Sequence, residues 1–364
     1  MIYWRKMSIK RLIRKFVFKL MQDSTEVNKF YFDQLIDKVE NTNKQIDGQI
    51  EVISAESEYV REIKENVSDI QCKLEKMNSL INKYEILPGC EYAHYAIPLD
   101  YFPSREMRPR WGGIVSNPIP ELYDFFAKYD DNYRGMLEYM RELNLESIDI
   151  RKTDKRMHTP AWIGGPITAI DALTLYAMIR KYKPKHYVEI GSGMTTLFAR
   201  QAVKDGNLST SIISIDPQPR IDIEAACDVV FRDGLEIMDL SKLDILEEGD
   251  ILFLDGSHRT FMNSDVTVFF IDILPKLKKG VIIHLHDIHL PWDYPKEFIN
   301  WYWNEQYMLA VCFLNGMDNI EILMPTKYIT HEKKFDTYFR TPFVDIGEKN
   351  CEWQDGGSMW FRYK

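Results

Sequence analysis

Five short apolar runs, at 186–190, 211–215, 228–231, 250–254 and 280–285, alternate with helix-like stretches in the C-terminal half of this chain. Runs of four to six apolar residues, without the spacing of a half-buried helix, are what parallel strands covered on both faces look like. Two further strand-like runs follow, at 319–324 and 358–363. Strands that alternate with helices build a doubly wound, mostly parallel sheet, here of seven strands. Such sheets bind ligands at the carboxyl ends of their strands. The residues that follow each apolar run are therefore the first candidates for chemistry.

Each run ends in polar residues. The first, "YVEI", breaks into Gly191-Ser192-Gly193, with Glu189 just before the turn and Thr195 just after it. Glycines there let backbone N–H groups approach a ligand closely. Position 196 is Thr, so the dinucleotide pattern of three glycines is not completed. The second run ends at Asp216, a position suited to ribose hydroxyls. Arg232, Asp233 and Gly234 follow the third, where the Asp233 carboxylate could accept from an adenine amino group. Asp255 and His258 follow the fourth, and His286, Asp287 and His289 the fifth. Four of the eight histidines thus lie within 258–289. His284 falls inside a strand and reads as a core histidine.

This series resembles the cofactor site of the Rossmann-like, class I S-adenosylmethionine-dependent methyltransferases. The resemblance covers about residues 166–364 and includes a last strand, "GGSMWFRYK", expected to insert antiparallel beside the fifth. "EIGSGMTT", "FLDGSH" and "HDIHLPWDYP" are similar to a bacterial branch of that family, some of whose members O-methylate sugars. The resemblance implies S-adenosylmethionine as cofactor, held by Glu189, Gly191, Ser192, Gly193, Thr195, Asp216, Asp233, Gly234 and Asp255. Metal-dependent catechol-type relatives are similar at the next two strand ends. They place an Asp after strand four, an Asp-Asn pair after strand five, and a basic residue three positions beyond the first Asp. This implies a divalent-metal set of Asp255, His286 and Asp287, and His258 with Asp255 as the catalytic pair. An imidazole can accept a hydroxyl proton near neutral pH. A histidine among the ligands moves the metal preference from Mg²⁺ toward Mn²⁺, Fe²⁺ or Zn²⁺. The loop aromatics Trp292 and Tyr294 are the candidates to meet an acceptor, a small molecule or a glycan.

The N-terminal third reads differently. Residues 1–20 hold seven Lys/Arg and no acid, with Ile9, Leu12, Ile13, Phe16, Val17 and Leu20 on one helical face. A basic amphipathic helix of this kind lies on anionic membrane surfaces. Met1 and Met7 are both candidate starts. Residues 21–86 carry heptad seams, one through Phe32, Val39, Ile46, Ile53, Val60, Val67, Leu74 and Ile81, the other offset by three from Leu35 to Tyr84. A long coiled-coil helix that self-associates, as a dimer or a trimer, is expected. Leu87-Pro88-Gly89 ends it. Residues 87–165 read as a cap or accessory segment with one helical stretch near 119–143, ahead of the main domain at 166–364.

With the first twenty residues set aside, the net charge of −9 becomes −16 over residues 21–364, which argues against nucleic acid as a partner. The five cysteines show no metal-knuckle spacing and no even pairing, so a reducing, cytoplasmic setting is expected, peripheral at the inner membrane face through residues 1–20. Three functional classes fit these features. The leading one is an O-methyltransferase acting on a sugar or glycan hydroxyl. The others are a metal-dependent hydroxylase or oxidoreductase, and a coiled-coil scaffold whose α/β domain only binds a ligand.

Overall fold

A computed structural model describes residues 108–112, 117–151, 159–163, 165–339 and 355–364. It also describes residues 34, 37, 38, 41, 42, 65–73 and 75. The chain divides into two compact units, Met1–Phe102 and Pro103–Lys364. In the first unit every described residue is helical. Within 65–73, Val67 and Ile70, which belong to the two heptad seams, are half-buried. The rest of the heptad ladder and the basic 1–20 segment lie outside the described residues. Among those residues, no helix is long and apolar enough to cross a membrane.

The second unit is built on the seven-stranded sheet. Its strands are β1 His186–Ile190, β2 Ser211–Ile215, β3 Val229–Phe231, β4 Ile251–Leu254, β5 Ile282–Leu285, β6 Ile320–Pro325 and β7 Met359–Tyr363. They lie in the order β3-β2-β1-β4-β5-β7-β6. All neighbours are parallel except β7, which runs antiparallel to both β5 and β6. The sheet is the doubly wound arrangement that the apolar runs predict, with the last strand inserted where it was expected. Each observed strand starts and ends within two residues of its predicted run. The difference is largest at β5, where Gly280 takes a left-handed φ of 81° and delays pairing.

The helices are α1 Pro120–Ala127, α2 Asp130–Glu142, α3 Ala169–Tyr182, α4 Met194–Asp205, α5 Asp265–Val268, α6 Glu305–Gly316, α7 Thr326–His331 and α8 Asp336–Phe339. Helix α3 is buried from Ala169 through Ile179 on every side, including Asp171 and Thr174, rather than along one amphipathic stripe. The stretch near 119–143 forms two helices, not one, broken at Lys128 and Tyr129. Both join the core of the sheet domain. Phe125 and Phe126 pack edge-on against Phe313 of α6, and Phe126 also against Tyr328 of α7. The Tyr129 hydroxyl donates to the Ile320 carbonyl at 2.9 Å. A short parallel pair, Asp149–Arg151 with Ala161–Ile163, lies outside the main sheet.

Packing across the sheet explains His284. Its ring is stacked between Phe253 at 4.0 Å and Trp360 at 3.8 Å, each tilted by only 11°, and these are its cross-strand partners on β4 and β7. Burial holds its pKa well below the usual range, so the ring is neutral, and Nε2 meets the Ser358 hydroxyl at 2.9 Å.

Candidate active site

The backbone ladder continues one residue past the strand ends and sets the polar residues in a row. Gly191 N–H donates to the Ile215 carbonyl at 3.0 Å and Asp216 N–H to Phe231 at 3.0 Å. Asp255 N–H donates to Ile190 at 2.9 Å and His286 N–H to Leu254 at 3.1 Å. Side chains that lie up to 97 positions apart along the chain, from Glu189 to His286, thus share one edge of the sheet.

The glycine turn is built for close approach. Gly191 has φ 81°, and a Cβ added there would lie 1.9 Å from the Asp255 carbonyl oxygen, so no other residue fits. A Cβ at Gly193 would meet nothing within 4 Å, which leaves that side of the turn open. Gly193 N–H donates to the Thr196 hydroxyl at 3.1 Å, tying the turn to the start of α4. Asp216 props the turn from the next strand. Its Oδ2 accepts from Ser192 N–H and its Oδ1 from Gln218 N–H, both at 2.7 Å. Each of these oxygens keeps a second lone pair for a ligand hydroxyl. Further along the row, Asp233 is exposed and Gly234 is buried, its carbonyl accepting from Ile237 and Met238 N–H at 3.1 Å.

Glu189 lies beneath the turn with no exposed surface. The Thr195 hydroxyl donates to Oε1, while Oε2 has no partner among the described residues. Burial raises its pKa to about 8, with the Asp255 and Asp216 charges adding to the rise and the Thr195 and Thr196 hydrogen bonds opposing it. Among the described residues, no lysine or arginine forms an ion pair with Glu189, Asp216 or Asp255. The turn is therefore an acidic cradle. A cationic ligand that also carries hydroxyls suits it; a pyrophosphate, the usual tenant of a glycine turn, would face the carboxylates of Asp216 and Asp255.

Beside the cradle, the loops after β4 and β5 meet. His258 Nε2 stands 3.5 Å from both Asp255 Oδ1 and Asp287 Oδ2. His286 Nδ1 is 3.7 Å from Asp255 Oδ1 and 3.5 Å from Asp287 Oδ2, and its Nε2 is 3.7 Å from Asp171. Neither ring nitrogen of His286 makes a hydrogen bond among the described residues. His258 and Asp287 both take left-handed φ values, 59° and 55°. Non-glycine residues hold that conformation at a cost, and such residues cluster at functional sites.

The charges are coupled. Burial alone would lower the His258 pKa, but Glu305 first, then Asp255 and Asp287, push it up to about 9. For His286 the same opposition between burial and the Asp287 and Asp255 charges ends well above the usual value. Burial would raise the Asp287 carboxyl, yet His286, His258 and His289 hold it below its ordinary range. Burial also raises the Glu305 carboxyl, and His258 only partly offsets this. The imidazole, flanked by three carboxylates, is the better proton holder of that pair.

Asp255, His258 and Asp287 each offer one ligand atom, and those atoms lie within 4.8 Å of one another. This mixed oxygen and nitrogen set fits a divalent transition metal. Of the set expected from sequence, Asp255 and Asp287 are in this group, and His286 adjoins both. His289 is not among these three ligand residues. Its backbone N–H donates to Gln306 Oε1 at 2.9 Å, and burial foremost lowers its ring to about 4.

The structure places Trp292 and Tyr294 in the interior, each 5% exposed. Trp292 packs on His331, and Tyr294 on Phe298 and Trp303. The half-buried Trp303 ring lies 4.0 Å from that of His258, and Trp301 packs on Trp303 at 4.8 Å. Sequence reading also passed over Glu305 and Asp171. Glu305 shares a helical stripe with buried Leu309 and Phe313 at spacings of four and eight, and an acid on an apolar stripe is a signal that could have found it. Asp171 stands in the apolar run of α3 in the same way. There it accepts from Gly357 N–H at 2.8 Å, Ser358 N–H at 3.0 Å and the Thr326 hydroxyl at 2.5 Å, with the Thr168 hydroxyl at 2.7 Å.

A family model described as "Methyltransferase domain" matches residues 188–288, the span from β1 to just past Asp287. No curated protein matches the chain significantly. Among solved structures, the chain is similar to a methyltransferase of Podospora anserina bound to SAH, at 16% identity and a TM-score of 0.33, covering 67% of this chain and 96% of that one. It is also similar to the plantazolicin methyltransferase in complex with SAH, at 13% identity and a TM-score of 0.29, covering 68% and 97%. The match to that family model is confined to residues 188–288.

Proposed function

We propose that this methyltransferase domain binds S-adenosylmethionine and O-methylates a hydroxyl of a sugar or glycan-type acceptor. The observation that carries the reading is the acidic glycine turn. The Asp216 and Asp255 carboxylates flank it without a paired lysine or arginine among the described residues, above the buried Glu189, which suits a cationic sulfonium cofactor and disfavours nicotinamide dinucleotides. When bound, the cofactor supplies an electrophilic methyl group.

The chain's own residues then do the following. Gly191 and Gly193 let the backbone close on the cofactor, and Asp216 offers lone pairs to its ribose hydroxyls while holding the turn. Asp233, after β3, accepts from the adenine amino group. The acceptor hydroxyl sits against His258, between the carboxylates of Asp255 and Asp287. As the acceptor oxygen takes the methyl group, whose bond to the cofactor sulfur would break in the same step to leave a neutral thioether, His258 Nε2 would accept the hydroxyl proton. A ring held as a cation cannot take that proton. A cationic cofactor held at Asp255 would offset that carboxylate and lower the His258 pKa from about 9. Positioning does most of the rest. A divalent metal would polarise the acceptor oxygen and would be held by Asp255 and Asp287 with His286, leaving His258 free as base, or with His258 itself. Trp303 offers an aromatic face beside His258, with Tyr294 packed against it from the interior.

The test is calorimetric titration with S-adenosylmethionine and, separately, NAD⁺, each with and without EDTA. The reading requires S-adenosylmethionine binding and none of NAD⁺. In Asp216→Ala the affinity should fall about tenfold or more, roughly 1.4 kcal/mol. Absence of S-adenosylmethionine binding under every condition would overturn the proposal.

A further inference from the structure

We propose that Glu305 is a positioning residue that fixes the imidazole of His258 through Nδ1, so that Nε2 is directed at the Asp255 and Asp287 carboxylates. The inference rests on the reading of His258 as the group that meets the acceptor. Glu305 lies 47 positions from His258, at the start of α6, and is 1% exposed. Its Oε1 pairs with Nδ1 of His258, and its Oε2 has no partner among the described residues.

The residues around Glu305 grip the same loop at five further points. Asn304 N–H and Glu305 N–H donate to the His258 carbonyl at 3.0 and 3.4 Å. Asn304 Oδ1 accepts from Thr260 N–H at 2.6 Å, and Arg259 Nε donates to the Trp301 carbonyl at 3.0 Å. The Trp303 ring covers His258 at 4.0 Å. A left-handed backbone at His258 persists only where its surroundings over-determine it, and residues 301–305 supply that constraint.

A purely structural pair would satisfy both ring nitrogens. Here Nδ1 is committed, while Nε2 faces two carboxylates at 3.5 Å, beyond a good hydrogen bond. Burying a carboxylate and an imidazole together brings little net stability. What the pair does provide is orientation. A carboxylate on one ring nitrogen sets which nitrogen carries the proton and which way the other points.

The experiment uses the full chain with ¹⁵N-labelled histidine. A proton on Nδ1 in a short bond to a carboxylate resonates far downfield of the amides. The proposal expects such a resonance in the wild type, assigned by its disappearance in His258→Gln. Glu305→Ala should abolish it, and the isosteric Glu305→Gln should move it upfield, the amide being a weaker acceptor. S-Adenosylmethionine binding, measured by calorimetry on the wild-type sample, tests the cofactor reading separately. A wild-type spectrum without the resonance, or a resonance that survives Glu305→Ala, overturns the assignment. If the wild type shows the resonance but binds no S-adenosylmethionine, the cofactor reading fails and the Glu305–His258 pairing stands.

Discussion

At Glu189 the structure makes a titration that can be measured. A carboxyl with no exposed surface and one unpartnered oxygen is held neutral by burial, at a pKa of about 8 against an ordinary 4.5. Between those values the folded chain keeps a proton that the unfolded chain releases. Stability from this group is therefore fully present below pH 4.5 and is lost as pH rises toward 8, at about 1.4 kcal/mol per pH unit. Glu189→Gln keeps the shape without the charge, so it should flatten this slope. Thermal unfolding of the two proteins without cofactor, at pH 5 and pH 8, should diverge by a few kcal/mol in favour of the variant at the higher pH. Parallel pH profiles would mean that Glu189 is ionised in the fold.

At the scale of elements, α1 and α2 behave as part of the sheet domain's core. Phe126 has no exposed surface, and its ring packs edge-on against Phe313 and Tyr328. The Tyr133 hydroxyl donates to its carbonyl at 2.9 Å. If α1 were an independent lid, truncating this ring would spare the rest of the protein. Because the ring is shared with α6 and α7, Phe126→Ala should cost about 3–5 kcal/mol in chemical denaturation of the second unit. A loss below about 1 kcal/mol would detach α1 from the core. The sheet itself was legible from apolar runs because its period is local. The same local reading took α1 and α2 for one helix, since no proline or glycine marks the break at Lys128 and Tyr129.

Over the whole molecule, the heptad seams of 32–84 remain the argument for self-association, and Val67 and Ile70 are the half-buried residues among the described ones that belong to them. If the seams pair, sedimentation of the full chain should give an oligomer, and Val67→Asp with Ile70→Asp should shift it toward the monomer. A full chain that sediments as a monomer would end that proposal.

The sequence alone determined which strands form and which residues stand at the strand ends, while the antiparallel insertion of the last strand was implied by the family resemblance. It could do so because strand period, glycine turns and terminal polar residues are short-range features. Only the tertiary structure decided which of those residues meet. Glu305 reaches His258 across 47 positions, and Asp171 ties Thr326 to Gly357 and Ser358 across as many as 187. Trp292 and Tyr294 are withdrawn into the core, while Trp303 lies over His258. None of this is periodic. Burial and pairing at such separations follow from how α3, α6 and the loops pack around the sheet, and packing is a property of the assembled chain.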